Sequence, residues 1–395
     1  MSSRSAWVRG DRMWRIGRVG KVGKIGKVTA VVALTVLLLL LPLYLPSDWL
    51  KVGTWIMTGA VGAIGLTILT GQAGQLSLAH AFFLLVGAVA YSVLTGPTDD
   101  PTYLGFGWSP LAGLIGAVLI SGLAGAAFAP VSGRLRGIYL GVASLALVYL
   151  GFWLGRALPS LAGSTSSGRV PRPFSAFGFS VDVPRQLSDV VVAGVPLGRD
   201  ERAWYLYLLL TVVAYLLAQG AVRGRPGRAW RAVRDHETAA TVLGVSVVRT
   251  KASVFTISSA YAGLAGVMTA WWTGITKPDE SEVVGTYGVT VSIAFLAMIV
   301  VGGMGSLPGA VLGAVVVFGL PVALPLLTQG GSGALGSGTA FTPIVITNLT
   351  FGALIILIIL FEPHGLAGLG RRFGMRFSGR VPGKQSTAPA GNRRA

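Results

Sequence analysis

Three short stretches gather the polar side chains of this apolar chain. In TGQAGQLSLAHA, Thr70–Ala81, the residues Gly71, Gln72, Gly74, Gln75, Ser77 and His80 interrupt two hydrophobic runs. In VVGGMGSLPGAVLGA, Val300–Ala314, Gly302, Gly303, Gly305 and Ser306 do the same. The third, GRAWRAVRDHETAATVLG, Gly227–Gly244, carries Arg228, Arg231, Arg234, Asp235, His236 and Glu237. None has the make-up of a catalytic centre. A lone His80 is no metal site, because no second ligand stands at a suitable spacing. With no cysteine in the chain, a thiol nucleophile, a disulfide framework and a zinc finger are all excluded. What remains is mechanical chemistry: glycine hinges, buried amides and hydroxyls, and a charged segment built to meet another surface.

The elements that position these stretches are membrane spans. Of 395 residues, 52% are hydrophobic and only 12% charged, where soluble domains carry about 25% charged residues. Mean hydropathy is +0.69. The 57 glycines suit helices that pack closely or break in lipid. Apolar runs near the roughly 20 residues needed to cross a bilayer occur at about 28–46, 54–70, 76–95, 109–132, 137–155, 203–222, 252–273, 287–302, 308–328 and 341–361. None holds Asp, Glu, Lys or Arg. With the N-terminus inside, 24 of the 32 basic residues fall on inside segments and 10 of the 14 acids outside, as the positive-inside rule requires. The net charge of +18 therefore reads as topology and attraction to anionic lipid heads. Nucleic-acid binding is not indicated.

Along the chain the expected organisation is a basic cytoplasmic tail (1–27), a transmembrane domain (28–372) and a polar, disordered cytoplasmic tail (373–395). The N-terminal WRIGRVGKVGKIGKV mimics a phosphate loop, but its glycines lack the required spacing and no lysine precedes Ser or Thr. No nucleotide site is encoded. A secretory signal peptide is not expected: the basic region is long and no small-residue cleavage site follows the apolar run. The outer loop 156–202 is rich in Gly, Ser and Pro and suits a partner-facing role. The inner loop 223–251 contains the charged stretch.

Each polar stretch admits two readings. Gly71–His80 is either a broken segment lining a transport path or a tight hairpin with capping side chains. The second glycine stretch has the same form and falls at the same face, with Pro308 suited to a first helical turn. Two such breaks on one face suggest a cytoplasmic gate; the alternative is a pair of simple turns. His80, the only side chain in the spans that titrates near neutral pH, lies about 6 Å inside by helix rise. It is either a proton relay or, as favoured here, a neutral histidine bonded to a neighbouring helix. The Arg228–Arg231–Arg234 helix is too charged to insert, so it docks on another protein or lies on lipid heads. Ser258, Ser259 and Tyr261 suit either a pathway lining or helix packing.

With these residues in view, the sequence resembles the permease subunits of bacterial ABC importers for branched-chain amino acids, in particular the longer, M-type subunit. The resemblance rests on five blocks in order: GQAGQLSLAHA (71–81), LRGIYLGVASLAL (135–147), GRAWRAVRDHETAATVLGVSVVRTKASVFTISSAYAGLAGVM (227–268), VVGGMGSLPGAVLGA (300–314) and LFEPHGLAGL (360–369). It spans about residues 35–372. Urea and short-amide importers use closely similar permeases.

The resemblance implies an all-α integral membrane protein of about ten transmembrane helices with both termini cytoplasmic, in the bacterial cytoplasmic membrane. It implies two ATPase subunits, a second permease subunit and an extracytoplasmic solute-binding protein as partners. ATP and Mg would be held by the ATPases, and no cofactor by this chain. In such importers a cytoplasmic helix docks into the ATPase, marked by Glu-Ala-Ala and a following Gly. Here Glu237, Ala239, Ala240 and Gly244 fit that marker with Thr238 interposed, and Arg228, Arg231 and Arg234 flank it as coupling residues. The gate or pathway residues would be Gly71, Gln72, Gly74, Gln75, Ser77, His80, Gly302, Gly303, Gly305 and Ser306. Two places depart from the family pattern or could meet a binding protein: AGSTSSGRVPRP in the outer loop and the acids of Lys277–Glu282. An ion-coupled secondary carrier is the less favoured alternative, since no span holds an acid. A membrane-embedded enzyme is less favoured still.

Overall fold

The computed structural model describes residues 33–135, 137–164, 168–185, 191–192, 195–278 and 287–328, with 352–353, 356, 360 and 365–368 near the end. Both predicted tails, nearly all of the span 341–361, Arg136, and Asp279, Glu280 and Glu282 lie outside the described residues. The chain divides into a unit Leu39–Ala367 and a unit made of Met1–Leu38 with Gly368–Ala395. The three polar stretches all belong to the first.

Nine predicted spans coincide with apolar helices. They are α1 (Ala33–Tyr44), α2 (Ser47–Leu66), α3 (His80–Thr95), α4 (Pro110–Arg134), α5 (Ile138–Ala157), α7 (Arg199–Arg223), α10 (Val247–Thr273), α11 (Val289–Gly302) and the run from α12 (Leu307–Ala314) into α13 (Leu320–Thr328). Between them lie short helices α6 (Pro159–Ala162), α8 (Arg225–Asp235) and α9 (Glu237–Val242). The only strands among the described residues are two small antiparallel hairpins in the outer loop, β1 (Ser175–Ala176) with β2 (Phe179–Ser180) and β3 (Val191–Val192) with β4 (Val195–Pro196). Six of the spans are long and apolar enough to cross a membrane by themselves. The architecture is an all-α membrane protein.

Two boundaries differ from expectation for physical reasons. The third span starts at His80, not Leu76, because Gly74–Ala79 is non-helical. Its 16 residues give only about 24 Å of helix; the irregular, partly buried segment before it supplies the remaining depth. The helix α10 starts at Val247, ahead of the apolar run, and so takes in Arg249 and Lys251. Lys251 can enter because an acid neutralises it.

The core is built around α2, whose most apolar window is 89% buried against 22% for α7. The helices α3, α4 and α10 pack on one another and α10, α7, α11 and α12 on α2. Small residues bring the backbones together, as in lipid they must. A Cβ on Gly266 would overlap the backbone of Leu84, so α10 and α3 meet without a side chain between them. Ser121 of α4 ties the trio by donating toward the carbonyls of Phe83 (3.1 Å) and Ser259 (2.7 Å). Ser258 and Ser259 are buried, and Tyr261 donates to the carbonyl of Ala214 on α7 at 2.8 Å. These are packing contacts.

Candidate functional site

At one end of the bundle the polar stretches converge. The helix α2 does not simply stop; it widens into a π-helical turn, Thr67–Gln72, a form common at functional sites. Gly74 then takes a left-handed φ of +68° and the chain runs without regular secondary structure to Ala79. Gln72, Gln75, Ser77 and His80 are all buried, so the break lies inside protein, as backbone at membrane depth must. The start of α3 is capped from elsewhere: Leu78 N–H donates to Ser144 Oγ of α5 (2.8 Å) and Ala81 N–H to Ser292 Oγ of α11 (2.9 Å).

The second glycine stretch sits against the first. The helix α11 ends at Gly302, with Gly303 and Gly305 at φ of +107° and +81°. Ser306 then caps α12, its Oγ accepting from Gly309 N–H at 3.2 Å, and Pro308 occupies the first turn. A Cβ on Gly71 would stand 2.5 Å from the Cα and N of Gly305. Gln72 Nε2 donates to the Gly305 carbonyl at 2.9 Å. Gly365, from the terminal block, comes so close to Gly303 that a Cβ would clash with its backbone nitrogen.

The charged stretch closes the junction. In α8, Trp230 and Val233 are buried, and the Trp230 indole donates to Ser253 Oγ of α10 at 3.1 Å. This anchor turns two arginines inward. Arg231 Nη1 donates to Gln72 Oε1 (3.1 Å) and to the Val222 carbonyl (3.0 Å). Arg234 Nη1 donates to the Gly71 carbonyl at 2.7 Å. Arg228 is exposed. Next, Lys251 Nζ lies 2.6 Å from Glu237 Oε1, with the lysine side chain 7% exposed and the glutamate 32%. This pair binds the start of α9 to α10. Ala240 is buried beneath α9, while Ala239 and Gly244 are exposed, and Gly244 turns the chain with a φ of +83°. Val242 and Leu243 are 87% and 81% exposed, an apolar tip that no described residue covers.

Thus Gly71, Gln72, Gly74, Gly303, Gly305, Arg231 and Arg234 are brought together. Ser77 and Ser306 serve local turns. Gln75 is buried with neither amide atom bonded among the described residues. His80 lies apart from the arginines. Its ring packs edge-on to Phe295 at 4.6 Å, close over Gly62, and its Nε2 finds no partner among the described residues. Gly62 of α2 leaves room for the ring, and its backbone lies within hydrogen-bonding reach of the imidazole. Sequence reasoning passed over Ser144, Ser292, Ser253, Lys251 and Gly365. The positive charge of Lys251 fourteen residues after Glu237 was the one visible signal. Among the described residues no group of three or more His, Asp or Glu side chains could hold a metal ion.

A multi-span helical bundle, with a charged helix wired to two glycine breaks at one end, is the form of a membrane permease. Residues 49–360 match the family described as branched-chain amino acid transport system / permease component, and the chain belongs to it. The chain is 30% identical to the high-affinity branched-chain amino acid transport system permease protein LivM of Salmonella typhimurium, covering 87% of this chain and 76% of that relative. LivM of Escherichia coli is 29% identical over the same shares. LivH of Salmonella typhimurium is 27% identical, covering 82% of this chain and 96% of that protein. No solved structure matches.

Proposed function

We propose that this chain is the M-type permease subunit of an ABC importer that carries branched-chain amino acids into the bacterial cell, driven by ATP hydrolysed on two separate ATPase subunits. It pairs with a second permease and receives substrate from an extracytoplasmic binding protein. The end bearing α8 and α9 faces the cytoplasm, as do both termini, in keeping with the basic residues of 223–251 and the positive-inside rule.

The observation that carries the reading is the pair of arginine bonds from α8 to Gly71 and Gln72. The exposed Val242–Leu243 tip supplies an apolar knob for a groove on the ATPase. A docked α9 moves with its ATPase. Because α8 precedes α9 with only His236 between them and grips the π turn of α2 through charge-assisted hydrogen bonds, that movement pulls directly on the first glycine break. Gln72 passes it to Gly305 and so to α11 and α12. The glycines absorb the change at little steric cost.

The test is uptake in proteoliposomes holding this chain, its second permease and the ATPases, with the binding protein outside. ATP-dependent accumulation of radiolabelled leucine is expected. Urea accumulation in its place would keep the machine and replace the cargo. Accumulation driven by an ion gradient without ATP or partners would overturn the importer.

A further inference from the structure

At the opposite end of the bundle from the arginine junction lies a cavity of about 820 Å³. It opens between the starts of α2 and α7, the end of α10 and the loop before β1. Sites for small ligands span roughly 300–1,000 Å³, so the size suits one small molecule with water. Its floor is aromatic. The Trp271 ring lies 5.6 Å from that of Phe174 and 6.4 Å from that of Tyr207, with Leu206 beside them. Its rim carries charges of both signs: Lys51, Arg199, Asp182 and Asp200. Arg199 Nε and Asp182 Oδ1 are 3.7 Å apart, both well exposed, and Lys51 leans on exposed Asp48 at 3.5 Å. Asp200, half-buried, makes no ion pair among the described residues.

We propose that this cavity is an entry site for a free zwitterionic amino acid with a branched apolar side chain. The side chain lies on Trp271 and Phe174, the ammonium faces Asp200, and the carboxylate faces Lys51 and Arg199. The assignment rests on the import reading above and gives it a place on the permease itself. The chemistry selects. Urea has neither charge nor apolar side chain, so it gains nothing from rim or floor. A lysine- or glutamate-like side chain would lay a charge on the aromatic floor, where desolvation opposes it. Exposed ion pairs are individually weak, so the ligand is held loosely enough to be passed on.

The test uses the intact transporter in nanodiscs, without binding protein, and radiolabelled L-leucine. Saturable binding at millimolar concentration is expected, competed by valine but not by urea. Two truncated ligands probe the rim without any mutation. Isopentylamine, lacking the carboxylate, and 4-methylpentanoate, lacking the ammonium, should each compete about tenfold more weakly than leucine. Substitutions should then pair with ligands. Asp200→Asn should weaken leucine about tenfold and leave 4-methylpentanoate unchanged; Lys51→Gln should weaken leucine and leave isopentylamine unchanged. Absent binding, or substitutions that weaken both truncated ligands equally, overturns the site. Competition by phosphoethanolamine as strong as by leucine also overturns it, in favour of a lipid headgroup. The same preparation with binding protein and ATP separates the two levels of failure. If it accumulates leucine while the binding pattern is absent, only the cavity assignment falls. If it accumulates urea and not leucine, the import reading itself falls.

Discussion

The two ends of the bundle are built from different materials. At the arginine end, contacts run from side-chain donors to backbone carbonyls, and glycines let main chains touch. At the cavity end, aromatic rings and half-exposed charges line an open volume. All five blocks that carry the family resemblance reach the first end: Gln72, Ser144, Arg231, Gly305 and Gly365 come one from each. None of the five supplies a residue lining the cavity. On the two proposals above, the division separates machine from cargo. The parts proposed to couple to the ATPases lie in the blocks of family resemblance, and the parts proposed to meet the transported molecule lie in the stretches between.

The sharpest way to break this division is at Gly71. A Cβ there meets Gly305 main chain, which cannot step aside as a flexible side chain can. Gly71→Val should cost about 1–3 kcal/mol in overpacking and should lower ATP-driven uptake by roughly tenfold or more, each tenfold being about 1.4 kcal/mol. Binding of leucine at the cavity end should survive in protein that remains inserted. Uptake and thermal stability of the purified complex measure the first part, and the nanodisc binding assay the second. Normal uptake in Gly71→Val would mean that the two breaks do not move against each other.

How much of this could be read beforehand depends on the force concerned. The spans were legible because lipid forbids charge, and that rule acts locally along the chain. The paired glycine breaks were legible for a similar reason: Gly and Pro punctuate apolar runs in recognisable ways. The junction was not. Ser144 and Ser292 cap a helix start lying 66 and 211 residues away, and no local periodicity announces such a partner. The π turn was hidden too, since 67–70 reads as the ordinary end of a span and Gly71–Gln72 as the break after it. The three-residue spacing of Arg228, Arg231 and Arg234 sets them along one side of a helix, yet Arg231 and Arg234 reach the junction while Arg228 is exposed. Their inward direction needed Trp230, which buries that flank against α10.

A smaller effect is expected one step from the junction. Glu237→Lys sets two ammonium groups together where Lys251 is almost wholly buried. Breaking a buried ion pair costs about 3–5 kcal/mol, and the partial exposure of Glu237 places this change at or below the lower end. The start of α9 should detach from α10 while the spans stay in place. ATPase activity should then persist but no longer rise with liganded binding protein, and uptake should fall severalfold. Restoring the pair in reverse, with Lys251→Glu added, should recover part of the coupling. Full coupling in the single variant would show that α9 is held by something other than this pair, and the arginine bonds alone would have to carry the motion.

The smallest effect is expected where the comparison predicts none. Gly220, in the last turns of α7, is exposed and has no atom within 4 Å of an added Cβ. Exposed Leu209, Val212, Val213, Leu216 and Leu217 lie on the same helix. Gly220→Ala should raise helix stability by about 1 kcal/mol at most and leave uptake unchanged, because this glycine serves neither hinge nor close approach. The bulkier Gly220→Leu then asks what covers the face. Lipid chains accommodate a leucine freely, so unchanged uptake would mark a lipid-facing surface. A loss of uptake with the chain still inserted would mark close packing against the second permease. In that case α7 would join the machine end to the cavity end, since Arg199 and Asp200 stand at its start and the Arg231-bonded Val222 carbonyl at its finish.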